Sequence, residues 1–342
     1  MPTTRRPPLL GLLAALAACG VEAGVDGALF ACGSDDDCDA AYTCFDDGSV
    51  GHAVCRLRSE LGGQEPPPAE AMTVCELVDD DCAAGNCDDT DFCREESIGR
   101  VLVPAGSFYM GCNDSLDGSC EGDESPQHLV ETPSFMIDEF EVTAANYAIC
   151  LNAGGCSAPD DSACAASSLD SQRPMNCVTW EQAKTYCQIH GGELCTEAQW
   201  ELAARRACEL IGASDCAAAM PTYPWGDASP GCELAVKDHD GPGCGTGAPL
   251  DIGSVPSGRS VYGPQDMAGN VYEWVLDCYH AGFEGAPDDG SEWGDGCGDD
   301  TKVVKGGGYA SGTEAMRSSE RAPVGESEVR DDLGFRCCAP VP

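Results

Sequence analysis

The sequence has 342 residues, with 59 acidic against 18 basic, a formal net charge of −41 and 25 cysteines. So acidic a chain excludes nucleic-acid binding by phosphate neutralisation, which needs a basic surface. So many cysteines point to disulfides in an oxidising compartment, and the lack of any CxxC pair argues against zinc-thiolate sites.

In chain order, the first feature is MPTTRRPPLLGLLAALAACG, which has the parts of an export signal. Arg5 and Arg6 form a basic region, and Leu9 to Leu16 form an apolar core far too short to span a bilayer. Leu16-Ala17-Ala18-Cys19 resembles a bacterial lipobox, in which the cysteine is lipidated and begins the mature chain; a plain secretory signal cut near Ala18 is the other reading. Gly20, where such lipoproteins can carry Asp, implies the outer membrane. The expectation is a lipoprotein signal over 1–19, a tether over 20–31, and membrane attachment through lipidated Cys19 in the bacterial cell envelope. Setting Cys19 aside leaves an even 24 cysteines.

Two cysteine clusters follow, 32–55 and 75–97, each with a DDDC tetrapeptide and four cysteines. Neither has the apolar residues for a core, so disulfides must replace burial. The Pro-rich segment 56–74 between them reads as a stiff linker. Asp35, Asp37 and Asp39 suggest a calcium loop, but Ala40 stands where an EF-hand needs Gly, and Asp46 where it needs Glu.

From about Ile98 the texture changes. VLVPAGSFYMG and PSFMIDEFEVT alternate like strands. Helices are predicted from a Thr143 cap, a Thr179/Gln182 capping box stopped at Gly191, and a Thr196/Gln199 box. Beyond Cys216 the chain is rich in Gly, Pro and Asp with little periodicity. Such a segment needs cross-links or bound ions, and the 16 cysteines from Cys112 to Cys338 are enough for eight disulfides. The vicinal Cys337 and Cys338 read as half-cystines to different partners.

GNVYEW places Glu273 seven residues after Asp266 with glycine between, a spacing in which carboxylates and carbonyls of an irregular loop converge on a hard cation. Glu273 pairing with an arginine is the plainer alternative. The five histidines, His52, His128, His190, His239 and His280, are scattered without ligand spacing. No GxSxG or HExxH motif occurs, and the glycines of GPGCGTG lack a strand before and a helix after.

Eight blocks then occur in order: VPAGSFYMG (103–111), DESPQHLVETPSFMIDEFEVTAANY (123–147), PMNCVTWEQAKTYC (174–187), ELCTEAQWELAAR (193–205), YPWGD (223–227), YGPQDMAGNVYEW (262–274), VVKGGGY (303–309) and LGFRC (333–337). Together they resemble the formylglycine-generating enzyme, or sulfatase-modifying factor, family over 98–342. The resemblance implies an α+β fold: a loop-rich, duplicated C-type-lectin-like domain. It implies calcium held by the side chains of Asp266 and Glu273 and the carbonyls of Gly269 and Val271. A second family calcium site matches poorly here, on Glu233, Leu234 and Asp240. It also implies a structural role for Arg336 and for His128.

The copper-dependent members carry two cysteines after the GG-(Ser/Gly)-aromatic motif, since copper(I) selects soft thiolates. Here no cysteine lies between Cys297 and Cys337, and Ser311, Thr313 and Ser318 occupy the neighbourhood. Copper is therefore not expected. The iron-dependent sulfoxide synthases of this superfamily add a helical domain with metal-binding histidines, which this sequence does not match. The resulting reading is an envelope binding module for a peptide, protein or glycan. The alternative is a superfamily oxidoreductase or protein-modifying enzyme with another metal site.

Overall fold

The computed structural model describes residues 99–341 apart from 114–118, 160–166, 213 and 297–299, plus five short strands nearer the N-terminus. The chain divides into two compact units, 1–96 and 97–342. In the first, β1 (Phe30–Ala31), β3 (Val54–Leu57) and β2 (Tyr42–Phe45) form a three-stranded antiparallel sheet in that order. A second pair joins β4 (Asn86–Cys87) to β5 (Cys93–Glu95). The signal over 1–19 with Cys19, and Asp35, Asp37, Asp39 and His52, lie outside the described residues, as do 20–31, 32–55, 56–74 and 75–97 apart from these strands.

The second unit begins with the two alternating segments expected as strands. The first is split by Pro104, which has no N–H for a ladder, into β6 (Arg100–Val103) and β7 (Gly106–Met110). β6 pairs antiparallel with β9 (Phe135–Asp138) in the register Val101↔Ile137, and β7 pairs with β8 (His128–Thr132) as a two-stranded ribbon.

All three predicted helices form with the predicted caps. Thr143 Oγ1 accepts from Asn146 N at the start of α1 (Ala144–Asn152). Thr179 and Gln182 bond reciprocally at α2 (Trp180–Ile189), as do Thr196 and Gln199 at α3 (Glu197–Ala204). Each box satisfies two amides that the helix leaves without partners. A fourth turn, α4 (Cys208–Ile211), was not anticipated and ends on left-handed Gly212.

The region beyond Cys216 departs from expectation. It contains β11 (Tyr272–Cys278), β12 (Thr301–Lys305), β13 (Ala322–Gly325) and β14 (Leu333–Phe335), ordered β13-β12-β11-β14, with β11 and β14 parallel. β11 is buried on both faces from Glu273 to Cys278, which erases the polar alternation that betrays a half-buried strand. β15 (Cys337–Pro340) leaves this sheet and inserts between β10 (Glu193–Leu194) and β9. The main core lies between α1, α2 and the β11 sheet, around Tyr147, Met175, Tyr186, Trp274, Val304 and Phe335.

Six bridges join described cysteines. Four are local: Cys112–Cys120, Cys150–Cys156, Cys208–Cys216 and Cys232–Cys244. The vicinal pair goes to different partners, as read from the sequence: Cys187–Cys337 and Cys195–Cys338 span 150 and 143 residues. These two bridges interleave, since Cys187 and Cys195 pair with Cys337 and Cys338 in the same chain order. With one closed, the other closes a ring of only roughly ten residues, worth about 2–3 kcal/mol by loop entropy, whereas the first closure is worth about 5.

Replacing Cys187 and Cys337 together with Ala, or Cys195 and Cys338, should therefore lower the melting temperature modestly. Removing all four should cost more than the two losses added together, measured by denaturant unfolding. Strict additivity would show that the bridges do not share one loop.

Candidate functional site

The segment after β12 carries the three glycines of VVKGGGY. Gly307 is left-handed (φ 72°), and a Cβ on it would lie 2.5 Å from Met316 Cε and 2.7 Å from the Ala315 carbonyl, so only glycine lets the chain turn here. The turn is fixed to the YGPQDMAGNVYEW loop: Gly269 N donates to Gly306 O, and Tyr309 N donates to Asn270 O.

Ser311 lies just past this turn. Its Oγ accepts from Gly308 N (3.1 Å) and donates to Tyr272 Oη (3.2 Å), while its carbonyl accepts from Asp238 N. Above Tyr272 sits the Arg330 guanidinium, 5.0 Å from the ring centroid and held by both carboxylate oxygens of Asp332 at 2.8 Å. Tyr309 Oη donates to Asp331 Oδ2; burial, then the Asp331 charge, pushes this phenol up to about 12. Tyr272, Arg330, Asp331 and Asp332 are all half-buried, so they form a surface rather than a core.

Of the three hydroxyls expected in this neighbourhood, only Ser311 joins that surface. Thr313 is half-buried and opens a 3-10 turn over Thr313–Met316. Ser318 is fully buried, its N–H donating to Thr222 O and its Oγ without a hydrogen-bond partner.

Behind this surface lies a buried carboxylate cluster: Glu141, Asp266 and Glu273 around Arg336. Glu273 takes the plainer of its two readings. Arg336 donates from Nε and Nη2 to its two oxygens, each at 2.7 Å, and Trp200 Nε1 adds a third bond at 2.8 Å. Arg336 also reaches the carbonyls of Asp138, Glu139 and Gln265, so it is the structural tie anticipated. Asp266 Oδ2 accepts from Gly253 N, and Glu141 accepts from Asn270 Nδ2 and Val271 N. Three carboxylates face one guanidinium. Burial, with the Asp266 and Glu273 charges, raises Glu141 well above the usual carboxylate range, and burial raises Asp266 to about 6 against the pull of Gly253 and Arg336.

Gly269 (φ 86°) brings this loop against Val236, whose carbonyl would lie 2.4 Å from a Cβ there. The upstream candidates diverge from that contact: Glu233 and Asp240 are exposed and Leu234 is half-buried. His128 packs against Phe283 with ring centroids 4.9 Å apart and the rings tilted at 44°, in keeping with a structural role.

A second ionic layer was invisible in the sequence. Glu197 and Glu201, four apart on α3, look like a solvated helix face, yet both are buried. Lys305 Nζ donates to Glu201 (3.1 Å) and Glu197 (3.5 Å), and Arg321 grips Glu197 with two bonds. Burial alone would raise the Glu197 carboxyl, but Arg321 and Lys305 outweigh it and hold it below its usual value. Asp277 next to this layer is in no ion pair among the described residues. Its two oxygens accept from Glu197 N (2.7 Å) and Trp293 N (2.8 Å), and burial with the Glu197 charge raises it to about 7.

The fold and site define a class: a disulfide-braced, loop-rich α+β domain whose interior is tied by buried ion pairs and whose signature loops meet at one surface. The Sulfatase-modifying factor enzyme 1-like domain model matches residues 89–340, and the chain belongs to that family. It is 28% identical over 202 residues to a hercynine oxygenase of Mycolicibacterium smegmatis, covering 51% of this chain and 44% of that protein. It is 28% identical over 290 residues to the formylglycine-generating enzyme of Streptomyces coelicolor, covering 70% and 88%. This chain thus spans less than half the length of the hercynine oxygenase. Among solved structures, PvdO from Pseudomonas aeruginosa aligns with a TM-score of 0.57 at 26% identity, covering 71% of this chain and 94% of that one. CarF aligns at 0.50 and 18%, covering 72% and 99%, which speaks to fold alone.

The Asp277 environment has a pH signature. Its folded pKa lies above the unfolded value near 4, so between about pH 4 and 7 the unfolded state releases a proton that the folded state keeps, and stability falls as pH rises. Asp277→Asn should gain on the parent chain progressively over that window in melting temperature. A difference independent of pH would show that Asp277 ionises normally.

Proposed function

We propose that the second unit is a binding module on a duplicated, C-type-lectin-like scaffold. In this reading copper-dependent oxidation has given way to recognition at the Ser311–Tyr272–Arg330 surface. The observation that carries it is the state of the sulfur. Every cysteine described between residues 99 and 341 is in a disulfide, and a serine hydroxyl stands where the turn after the triple glycine would offer a thiol. Hydroxyls do not replace thiolates for copper(I). Ser311 Oγ pairs with a phenol and a backbone amide, neither of which is the adjacent base that activates a serine nucleophile. What the surface supplies is a guanidinium fixed by Asp332 over an aromatic ring, beside a second phenol and Asp331. Such a pre-ordered set suits the carboxylates, amides or hydroxyls of a peptide, protein or glycan at low entropic cost. On the sequence expectations this module is carried at the outer membrane by lipidated Cys19, an attachment that Cys19→Ser would release into the soluble fraction.

The second reading, an oxidoreductase using another metal, draws on the similarity to hercynine oxygenases and formylglycine-generating enzymes. One experiment separates the two. The oxidised chain is incubated with copper, oxygen and a cysteine peptide bearing a sulfatase motif, and is applied in parallel to peptide and glycan arrays. The module reading expects no oxidation of the peptide, and array ligands whose binding falls at least tenfold in Arg330→Ala. Conversion of the cysteine to formylglycine would overturn it.

Calcium belongs to the same proposal, as a brace behind the surface. The donor set is all oxygen, and the three carboxylates exceed the single guanidinium by two charges, which a divalent cation would balance. Glu273 already accepts three bonds, so Asp266 and the carbonyls of Gly269 and Val271 would hold most of the ion. A second, weaker calcium site would use Glu233, Leu234 and Asp240. A chelator should lower the melting temperature of the parent chain by several degrees and that of Asp266→Asn by much less. Equal shifts in the two proteins would remove Asp266 from the site.

A further inference from the structure

Among the described residues, one histidine has an acceptor at each ring nitrogen. His280, just past β11, has Nδ1 3.0 Å from the Cys278 carbonyl and Nε2 2.9 Å from the Asp295 carbonyl. Carbonyl oxygens only accept, and a neutral imidazole has a single N–H. The neutral ring therefore satisfies one contact and turns a lone pair on the other. The imidazolium, with two N–H groups, donates to both. Its face favours the same form: the ring lies on Trp293 with centroids 3.6 Å apart and planes 6° apart, and an indole face attracts a cation.

Asp295 and Trp293 belong to one segment, 288–296, which runs as a strap past the end of β11. Elsewhere the strap is held by contacts that do not involve this ring. Glu131 N donates to Asp288 O, Thr196 Oγ1 to Gly290 O, and Cys278 N to Trp293 O. The charged groups on the segments packed around His280 are few. Arg321 donates from Nη1 to the His280 carbonyl, but its charge is met by Glu197. Asp123 accepts from the neighbouring Tyr279 hydroxyl, Glu292 and Asp295 are exposed on the strap, and Asp277 lies on β11.

We propose that His280 is a proton-operated latch on the 288–296 strap: the imidazolium closes it across Trp293 and Asp295, and loss of the proton opens that end. Histidine ordinarily changes charge between about pH 5 and 8, so the latch is shut in acid medium and opens as pH rises. Asp277 works on the same strap in the opposite sense. Burial pushes its carboxyl up to about 7, and once ionised it holds the Trp293 amide by a charge-assisted bond. Opening is thus confined to the Trp293 ring and the residues after it. None of these groups belongs to the Ser311 surface, and the latch does not depend on that reading.

The test begins with the parent chain. Long-range nitrogen-15 spectra should show protons on both ring nitrogens of His280 at pH 5.5 and on one at pH 8.5. Trp293 emission, taken as the difference between the parent chain and Trp293→Phe, should rise at least twofold over that range, because a stacked imidazolium quenches an indole. His280→Gln carries no titrating ring and should abolish the rise, whereas Asp277→Asn should keep it. A single ring proton on His280 at pH 5.5 would overturn the latch even if the variant fails to fold. So would a rise that persists in folded His280→Gln, or one that is lost in Asp277→Asn.

Discussion

The second unit depends on one buried ion pair, Glu273 with Arg336. The parallel pairing of β11 and β14 places the Arg336 fork against the Glu273 carboxylate, and the fork's remaining donors take three carbonyls from two other segments. Taking two charges out of water costs several kcal/mol each, so the pair is tolerable only because every donor is used and the geometry is bidentate. The chain then leaves the β11 sheet directly after Arg336, and Cys337 and Cys338 fasten it to Cys187 of α2 and to Cys195, the residue after β10. The tie therefore fixes where one sheet ends and the next begins.

A second group of buried charges does similar work beneath the triple glycine. Lys305 and Arg321 meet Glu197 and Glu201 under the loop that ends at Ser311. Changes on the surface around Ser311, Tyr272 and Arg330 thus sit on a floor of charge pairs that resists movement. Removing one member leaves its partner charged and dry, which costs more than losing an apolar contact. Such a scaffold tolerates variation in its exposed loops while holding their ends fixed.

Local chemistry was the legible part of the sequence. Thr143, Thr179 and Thr196 announce helix starts because a cap is a contact over three residues. The opposite destinations of Cys337 and Cys338 follow from sterics at adjacent positions, whereas their partners some 150 residues away leave no local trace. β11 and β12 were missed because burial on both faces removes the period of two. Asp266 and Glu273 were found by spacing, but the Arg336 pairing that now occupies Glu273 depends on the parallel register of β11 and β14. Glu197 and Glu201 carried a misleading signal: their spacing suits a solvated helix face, and only tertiary packing shows them covered.

Those internal charge pairs also change what the chain shows to the outside. Eight of its 18 lysines and arginines are buried in the second unit: Arg100, Arg205, Lys237, Lys302, Lys305, Arg317, Arg321 and Arg336. Most of the second unit's described basic residues are thus in its interior while most of its described carboxylates are not buried, so the outward field of that unit is more one-sided than its composition suggests. A folded unit of this kind offers trypsin few places to cut and amine-reactive labels few places to attach. Its resistance to such reagents therefore reports how completely its cations are locked inside.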